Sequence, residues 1–428
     1  MKKKNPMKKA GVILLFLVFV GLAFIPVTQA AYPLPPPHSI PMNLEQTIYQ
    51  RMSIRTFTNE TLTDEELSTI LWNAAGIRAD GSRTIEGVNG TFASIIYVLK
   101  EDAAYTYDPL NHTLNLYKPG DWRSTVGYQY PTAPLVLGLC YNTTKADADQ
   151  GGIEVGEICQ NLAFTLDALG LGGVVTGGLP PAIDKMGIPP DQAGLIVMPI
   201  GHPLQPYNFK NRPLRITLLP PITESSMNLT TALTERKQTT SFSGTINRQQ
   251  LSELVWSSYG FSPYLDRSHQ DLNKVQRHRT VPSAHGYYPL VIYAVTKTGI
   301  ERYMPNLLTT LGNFSVDFIG LPVVTYLRPV RLGDHRTQLA DASSLPSLAT
   351  APLILIMVLN KARTGDTGDP YLKFWCLEAG AAAHTVMLEA TALGLHGNLV
   401  TPTDATAIRS LLNLDDQFMP LLIVPVGS

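Results

Sequence analysis

The sequence predicts an α+β protein made of two versions of one domain, each a mixed central sheet flanked by helices. The first observation is an internal repeat. Arg279-Thr-Val-Pro-Ser-Ala-His-Gly-Tyr-Tyr-Pro-Leu-Val-Ile-Tyr293 echoes Arg83-Thr-Ile-Glu-Gly-Val-Asn-Gly-Thr-Phe-Ala-Ser-Ile-Ile-Tyr97 at an offset of 196 residues (279 − 83), with five of fifteen positions identical. An echo of that length at one spacing is the signature of a duplicated unit. The second is length: 428 residues hold two domains of about 150 to 200 residues, each able to bury a core of its own. The third is the alternation, in both halves, of short β-rich apolar runs with longer stretches of helical periodicity.

The chain opens with Lys2, Lys3, Lys4, Lys8 and Lys9 ahead of an apolar run over 10–27 and the small residues of Thr28-Gln-Ala30. That order reads as an export signal over residues 1–30 with cleavage after Ala30, and the apolar run is also close to the length of an uncleaved membrane anchor. The expected location is therefore exported, secreted or at the cell surface. Tyr32-Pro-Leu-Pro-Pro-Pro-His38 follows and predicts an extended spacer over 31–42 that neither forms a helix nor pairs in a sheet. The first domain is expected over 43–219, a linker rich in Pro, Ser and Thr over 220–233, and the second domain over 234–428.

Within the domains, Thr63 opens a capping box with Glu66, and Leu67, Ile70, Leu71 and Ala74 recur at helical spacing, predicting a helix with one buried face. Its counterpart lies over 247–260, where Leu251, Trp256 and Gly260 stand 184 residues after Leu67, Trp72 and Gly76. The offset then grows by 12 to reach 196, which puts an insertion within 261–278. Strands are predicted over 94–99 and 290–295, over 133–139 and 351–358, and over 194–201 and 419–427; runs this apolar belong in a sheet covered on both faces. The stretches 153–170 and 377–394 predict a long, largely buried helix in each half, closed by Gly170 and Gly394. The order is helix, strand, strand, helix, strand, twice.

Lys and Arg number 33 against 34 Asp and Glu, a net charge of −1, and no basic run lies beyond the N-terminus, so no nucleic-acid partner is expected. Cys140, Cys159 and Cys376 sit in apolar segments without metal-ligand spacing and read as small buried hydrophobes, so no metal is expected. There is no phosphate-loop lysine motif, no Gly-x-Ser-x-Gly elbow and no His-Glu-x-x-His. Gly170-Leu-Gly-Gly173 follows a helix instead of a strand, which makes it a tight turn and not a dinucleotide loop. What remains is Arg51-Met-Ser-Ile-Arg-Thr-Phe57, two guanidiniums and a hydroxyl ahead of a helix. These residue types can grip an anion and its polar edge, and they also suit solvated charges beside an edge strand.

At these residues the chain resembles the nitroreductase family of FMN flavoproteins, including its azoline dehydrogenase-like subgroup, whose domains open with Arg-x-Ser-x-Arg-x-Phe before that helix. Pro282-Ser-Ala284 resembles the family's segment before a central strand, and Leu169-Gly-Leu-Gly-Gly173 with Gly177-Gly178 resembles the loop that approaches the flavin ring. Gly201-His-Pro203 with Lys210-Asn-Arg212 resembles its closing Gly-x-Pro and Lys-x-Arg. The resemblance covers nearly all of both halves and implies FMN as cofactor. It implies that Arg51, Lys210 and Arg212 hold the FMN phosphate, that Ser53 and Arg55 meet the ribityl chain and the N1/O2 edge, and that Gly177 and Gly178 let backbone amides approach N5. In this family the flavin lies at a dimer interface, with the Pro-Ser-Ala segment supplied by the partner, which assigns Pro282, Ser283 and Ala284 to the far side of the same site.

The two halves depart from the family pattern in complementary ways. The second has Arg236-Lys-Gln-Thr-Thr-Ser-Phe242 in place of Arg-x-Ser-x-Arg, has Thr401-Pro-Thr403 in place of Gly177-Gly178, and reaches Ser428 without a Lys-x-Arg; the first has Glu86-Gly-Val88 in place of Pro282-Ser-Ala284. The resemblance thus implies a monomer folded as an intramolecular pseudo-dimer with one composite FMN site. The implied activity is ping-pong hydride transfer from a small-molecule donor to a nitro, quinone or azoline-type acceptor. The competing reading is a non-catalytic flavin-binding or interaction protein that keeps the duplicated fold. No catalytic side chain is assigned: His285, His384, Tyr107, Tyr287 and Tyr288 read as structural, and the recurring Glu154/Glu378 pair as a helix-cap or interface feature.

Overall fold

The computed structural model describes residues 31–205, 210–211, 215–266, 276–305, 323–364 and 369–428, so the expected signal or anchor over 1–30 lies outside the described residues. The first half runs β1 (Tyr32–Pro33), α1 (Leu44–Gln50), α2 (Asp64–Ala75), β2 (Ser94–Leu99), β3 (Ala103–Asp108), β4 (Thr113–Pro119), α3 (Arg123–Val126), β5 (Leu135–Asn142), α4 (Ala148–Ala168), β6 (Gly172–Gly173), β7 (Thr176–Gly177) and β8 (Gln192–Gly201). An arm with β9 (Lys210–Asn211) and β10 (Arg215–Thr217) leads to the second half. That half runs α5 (Leu229–Glu235), α6 (Arg248–Tyr259), β11 (Phe261–Asp266), β12 (Gln276–Arg279), β13 (Leu290–Thr296), β14 (Gly299–Met304), β15 (Val323–Leu332), α7 (Arg336–Ala342), β16 (Leu353–Asn360), α8 (Asp369–Ala392), β17 (His396–Gly397), α9 (Ala405–Leu411) and β18 (Phe418–Gly427). Among the described residues no helix is long and apolar enough to cross a membrane.

Local chemistry starts the same helices twice. Thr63 and Asn247 each close a full capping box, with Glu66 and Gln250 returning the bond to the cap amide, and α2 and α6 end at Gly76 and Gly260. Glycine is required at both ends because a Cβ there would meet the indole of Trp72 or Trp256 at 2.6 or 2.3 Å. The sheets repeat as well. The first has the order β1-β4-β3-β2-β5-β8-β6, with β7 also on β8, and every pair is antiparallel. The second has β10-β15-β14-β13-β16-β18-β17 and is mixed only through the parallel pair β10 and β15. The central strands β5 and β16 are buried along nearly their whole length, as the apolar runs require.

Two expectations change, and the expected insertion gains structure. The proline-rich stretch does pair: Tyr32 and Pro33 face Leu114 and Thr113 at the edge of the first sheet, where a missing N–H has no ladder to break, and Leu34 and Ile40 are buried, so folded structure begins ahead of residue 43. The stretch read as linker contains the start of α5, which is capped by Asn228 as α1 is by Asn43. These two helix starts bond reciprocally, Leu44 N to Met227 O and Leu229 N to Met42 O, both at 3.0 Å. The insertion within 261–278 contributes β11 and β12, a pair that also takes up β9 from the first half.

The long helices α4 and α8 form the most extensive contact between the halves. Each is buried on almost every side, which a helix reaches only when wholly enclosed. They approach so closely that a Cβ on Gly156 would stand 2.1 Å from Leu377 O, and a Cβ on Gly380 would stand 2.1 Å from Ile153 O. The contact is reciprocal because Gly156 and Ile153 are the repeat counterparts of Gly380 and Leu377, the isologous pattern of a two-fold dimer written into one chain. The obstacle on each side is backbone carbonyl, which cannot rotate away. Gly156→Val and Gly380→Val are therefore each expected to lower unfolding stability by roughly 3 kcal/mol, read as the urea midpoint; unchanged midpoints would contradict the close crossing.

Candidate functional site

Arg51 is the C-cap of α1, and beyond it the chain is extended. Met52 N donates to Asp167 Oδ2 at 2.7 Å and Ile54 N to Gly173 O at 2.9 Å, which lays this segment along the end of α4 and the glycine turn. Met52 and Ile54 are buried, so by the alternation of an extended chain Arg51, Ser53 and Arg55 fall on the opposite side, with Ser53 half-buried and Arg55 exposed. The turn needs its glycine: a Cβ on Gly172 would stand 2.5 Å from that of Ile54. Gly177 and Gly178 follow, both exposed. A Cβ on Gly177 would reach 2.7 Å from the Phe374 ring, so α8 of the second half closes one side of the loop.

The second half meets this cradle through the segment the sequence singled out. Arg51 is only 2 % exposed, and its Nε donates to Arg279 O at 2.8 Å. Gln160 Nε2 of α4 donates to Thr280 O at 2.7 Å. These two bonds fix the start of 279–288 on first-half helices, with Pro282 buried, Ser283 and Ala284 half-buried, and His285 to Tyr287 exposed. Burial raises the Tyr288 phenol, opposed by the charges of Arg51, Arg279 and Arg55, so both cradle arginines lie within electrostatic reach of that segment. Arg51 and Arg55 thus lie against the 279–288 segment, and Gly177 against α8, at the junction between the halves. Lys210 joins only by its backbone, pairing with Leu265; its side chain and the whole of Arg212 lie outside the described residues.

The corresponding place on the other side of the pseudo-dimer is filled. Arg236 caps α5 as Arg51 caps α1, and its Nη2 donates to Arg83 O at 2.9 Å, the repeat counterpart of Arg279 O. Glu86, standing where Pro282 stands in the second half, forms an ion pair with that guanidinium, and both residues are buried. Arg78 Nη1 closes the region by donating to the carbonyls of Leu233, Thr234 and Arg236. The sequence registers both substitutions as departures; only the fold shows that they neutralise each other.

Buried polar side chains organise the junction. Glu157 accepts from Glu86 N at 2.6 Å and Gly87 N at 3.1 Å, and lies 3.3 Å from His384 Nδ1. Burial raises the Glu157 carboxyl and holds His384 well below its usual value, and the His384 ring bonds to Asn161 Oδ1 at 2.7 Å, a structural histidine as expected. The Glu154/Glu378 pair needs correction as a helix cap. Both lie inside their helices: Glu154 accepts from the amides of Ala93 and Ser94, and Glu378 from the hydroxyls of Tyr259 and Ser283. Nothing in the local sequence signals these partners, which lie 60 to 119 residues away. Beside Gly177 and Gly178 a cleft of about 260 Å³ opens, walled by Val126, Tyr130 and Leu195, with Lys185 Nζ 4.6 Å from the Tyr128 ring centre at its rim.

The comparisons agree with this architecture. Residues 48–202 and 243–428 match the nitroreductase family. The chain is 28 % identical over 195 residues to a nitroreductase-like protein of Methanocaldococcus jannaschii, covering 43 % of this chain and 82 % of that protein. It is 28 % identical over 189 residues to an NADPH-flavin oxidoreductase of Vibrio harveyi, covering 40 % of this chain and 70 % of that protein. In fold alone, a crystal structure of a nitroreductase-type protein from Anabaena variabilis superposes with a TM-score of 0.65 at 13 % identity over 94 % of both chains. The chain belongs to the nitroreductase family as a tandem duplication of that family's domain, an oxidoreductase whose relatives point to a flavin cofactor.

Proposed function

We propose that the chain is an exported FMN-dependent oxidoreductase with one cofactor site. The site would be composed of Arg51, Ser53, Arg55, Gly177, Gly178, Lys210 and Arg212 from the first half and Pro282, Ser283 and Ala284 from the second. The observation that carries the single site is the contrast between two equivalent, equally buried arginines: each bonds to the matching carbonyl of the other half, but Arg236 is ion-paired with Glu86, whereas the position equivalent to Glu86 on the Arg51 side is Pro282. Export rests on the residues of 1–30 alone.

The residues present suit FMN. Guanidiniums offer the forked donors that a phosphate accepts, and Gly177 and Gly178 present exposed backbone to a flat ring. Bound there, FMN would supply the two-electron chemistry, taking a hydride from a small-molecule donor and passing it to a nitro, quinone or azoline-type acceptor in alternation. Arg55 would place a positive charge by the N1/O2 edge, where charge develops on reduction. Ser53 and Ser283 would orient the cofactor from opposite halves, and the second-half segment would exclude water from one side. The cleft beside Gly177 and Gly178, with Tyr128 and Lys185 at its rim, supports a planar acceptor.

Fluorescence titration of the full chain is expected to saturate at one FMN per chain, with Arg55→Ala weakening binding about a hundred-fold and Thr240→Ala, at the counterpart position, leaving it unchanged. Two FMN per chain would sink the composite-site reading. Arg236→Ala, by contrast, should act on stability: leaving Glu86 buried without its partner should cost on the order of 3–5 kcal/mol, and Arg236→Met combined with Glu86→Leu should recover most of it in urea melts.

A further inference from the structure

Glu154 and Glu378 occupy one position of the two long helices, 224 residues apart (378 − 154), yet hold different partners. Glu154 accepts from Ala93 N at 2.8 Å and Ser94 N at 2.9 Å, so it pins the start of β2. The counterparts of those residues, 196 further on, are Pro289 and Leu290. Proline has no N–H to give, which removes the first of the two bonds. Leu290 N turns instead to the Tyr259 hydroxyl at 3.2 Å, and Tyr259, which stands where the first half has Ala75, bonds to one oxygen of Glu378. The other oxygen is left for Ser283 Oγ, which donates to it at 2.6 Å and accepts from Tyr288 N at 2.9 Å.

The loop held this way needs holding. His285 and Tyr288 have positive φ, at 54° and 47°, a conformation that non-glycine residues keep only where their surroundings over-determine it. The groups that face Glu378 are Tyr259 from α6, Ser283 from the loop and Arg279 from β12. The Arg279 guanidinium lies 4.9 Å from the Tyr259 ring and 4.6 Å from that of Tyr288. Burial pushes the Glu378 carboxyl up to about 7, and those three groups oppose the rise.

We propose that Glu378 is a positioning residue of the composite site: from inside α8 it fixes the Ser283 hydroxyl, and through it the 282–288 loop in the shape offered to the cofactor. The inference that this loop faces FMN rests on the proposed function; the inference that Glu378 holds the loop does not. In the full chain without added FMN, Ser283→Ala leaves α8 intact and is expected to speed hydrogen exchange of the Tyr288 amide about ten-fold, with Glu378→Ala doing the same. Glu378→Gln keeps an acceptor oxygen for Ser283 and should stay near the unsubstituted rate. In FMN titrations the two alanine variants should each weaken binding about ten-fold, and the double variant should be no worse than either alone, because one acts through the other. Unchanged Tyr288 exchange in Ser283→Ala overturns the proposal, as does a loosened loop with unaltered FMN affinity, or effects that add. If the unsubstituted chain takes up no FMN, the cofactor reading falls, and the exchange measurement alone decides whether Glu378 holds the loop.

Discussion

The close crossing of α4 and α8 is the constraint on which the rest depends. With Gly156 against Leu377 O and Gly380 against Ile153 O, the two helices meet backbone to backbone at these glycines, and each carries its own sheet to a fixed place relative to the other. Polar contacts beside the crossing follow from that placement. Gln160 of α4 reaches Thr280 O, Asn161 of α4 bonds to His384 of α8, and Glu157 of α4 lies 3.3 Å from that histidine's Nδ1. A crossing a few ångströms wider would break all of these together, because hydrogen bonds lose their geometry over less than that distance.

Much of this was legible in the residues because the duplicated features are locally encoded. Capping boxes at Thr63 and Asn247 are made by neighbours three residues apart, and the apolar runs that became β2, β5, β8, β13, β16 and β18 announce themselves by composition. Strands β3, β4, β14 and β15 are not legible as apolar runs because polar residues, Thr106, Asp108, Asn115, Lys118, Glu301 and Arg302 among them, interrupt their buried positions. The edge strand at Tyr32 was missed for a different reason: proline is a poor strand former except at an edge, and the edge exists only once the sheet is assembled.

For the candidate site, segments such as 51–57 and 279–288 stand out in the sequence, whereas the contacts between distant residues do not. Arg51 and Arg279 are 228 residues apart, Ser283 and Glu378 are 95, and no periodicity connects them. The sequence exposes Glu86 and Arg236 as two separate departures from a repeat. Their ion pair depends on which half faces which across the pseudo-two-fold axis, which the fold sets and the linear sequence does not show.

That pairing also explains how one chain can carry two unlike halves. In a symmetric dimer of identical subunits any substitution appears on both sides of the interface, so replacing the segment that corresponds to Pro282-Ser-Ala284 would remove it from both sites at once. Joined in tandem, the halves are held together without a concentration-dependent association step, and each position can be set independently. The buried pair of Arg236 and Glu86 is what independence permits: a cation becomes tolerable in the interior once a carboxylate stands opposite it, and neither would be tolerated alone. The same freedom lets Pro289 and Tyr259 redirect Glu378 toward Ser283 while Glu154 keeps its two backbone amides. Asymmetry at the composite junction and symmetry at the helix crossing are therefore two results of one covalent link.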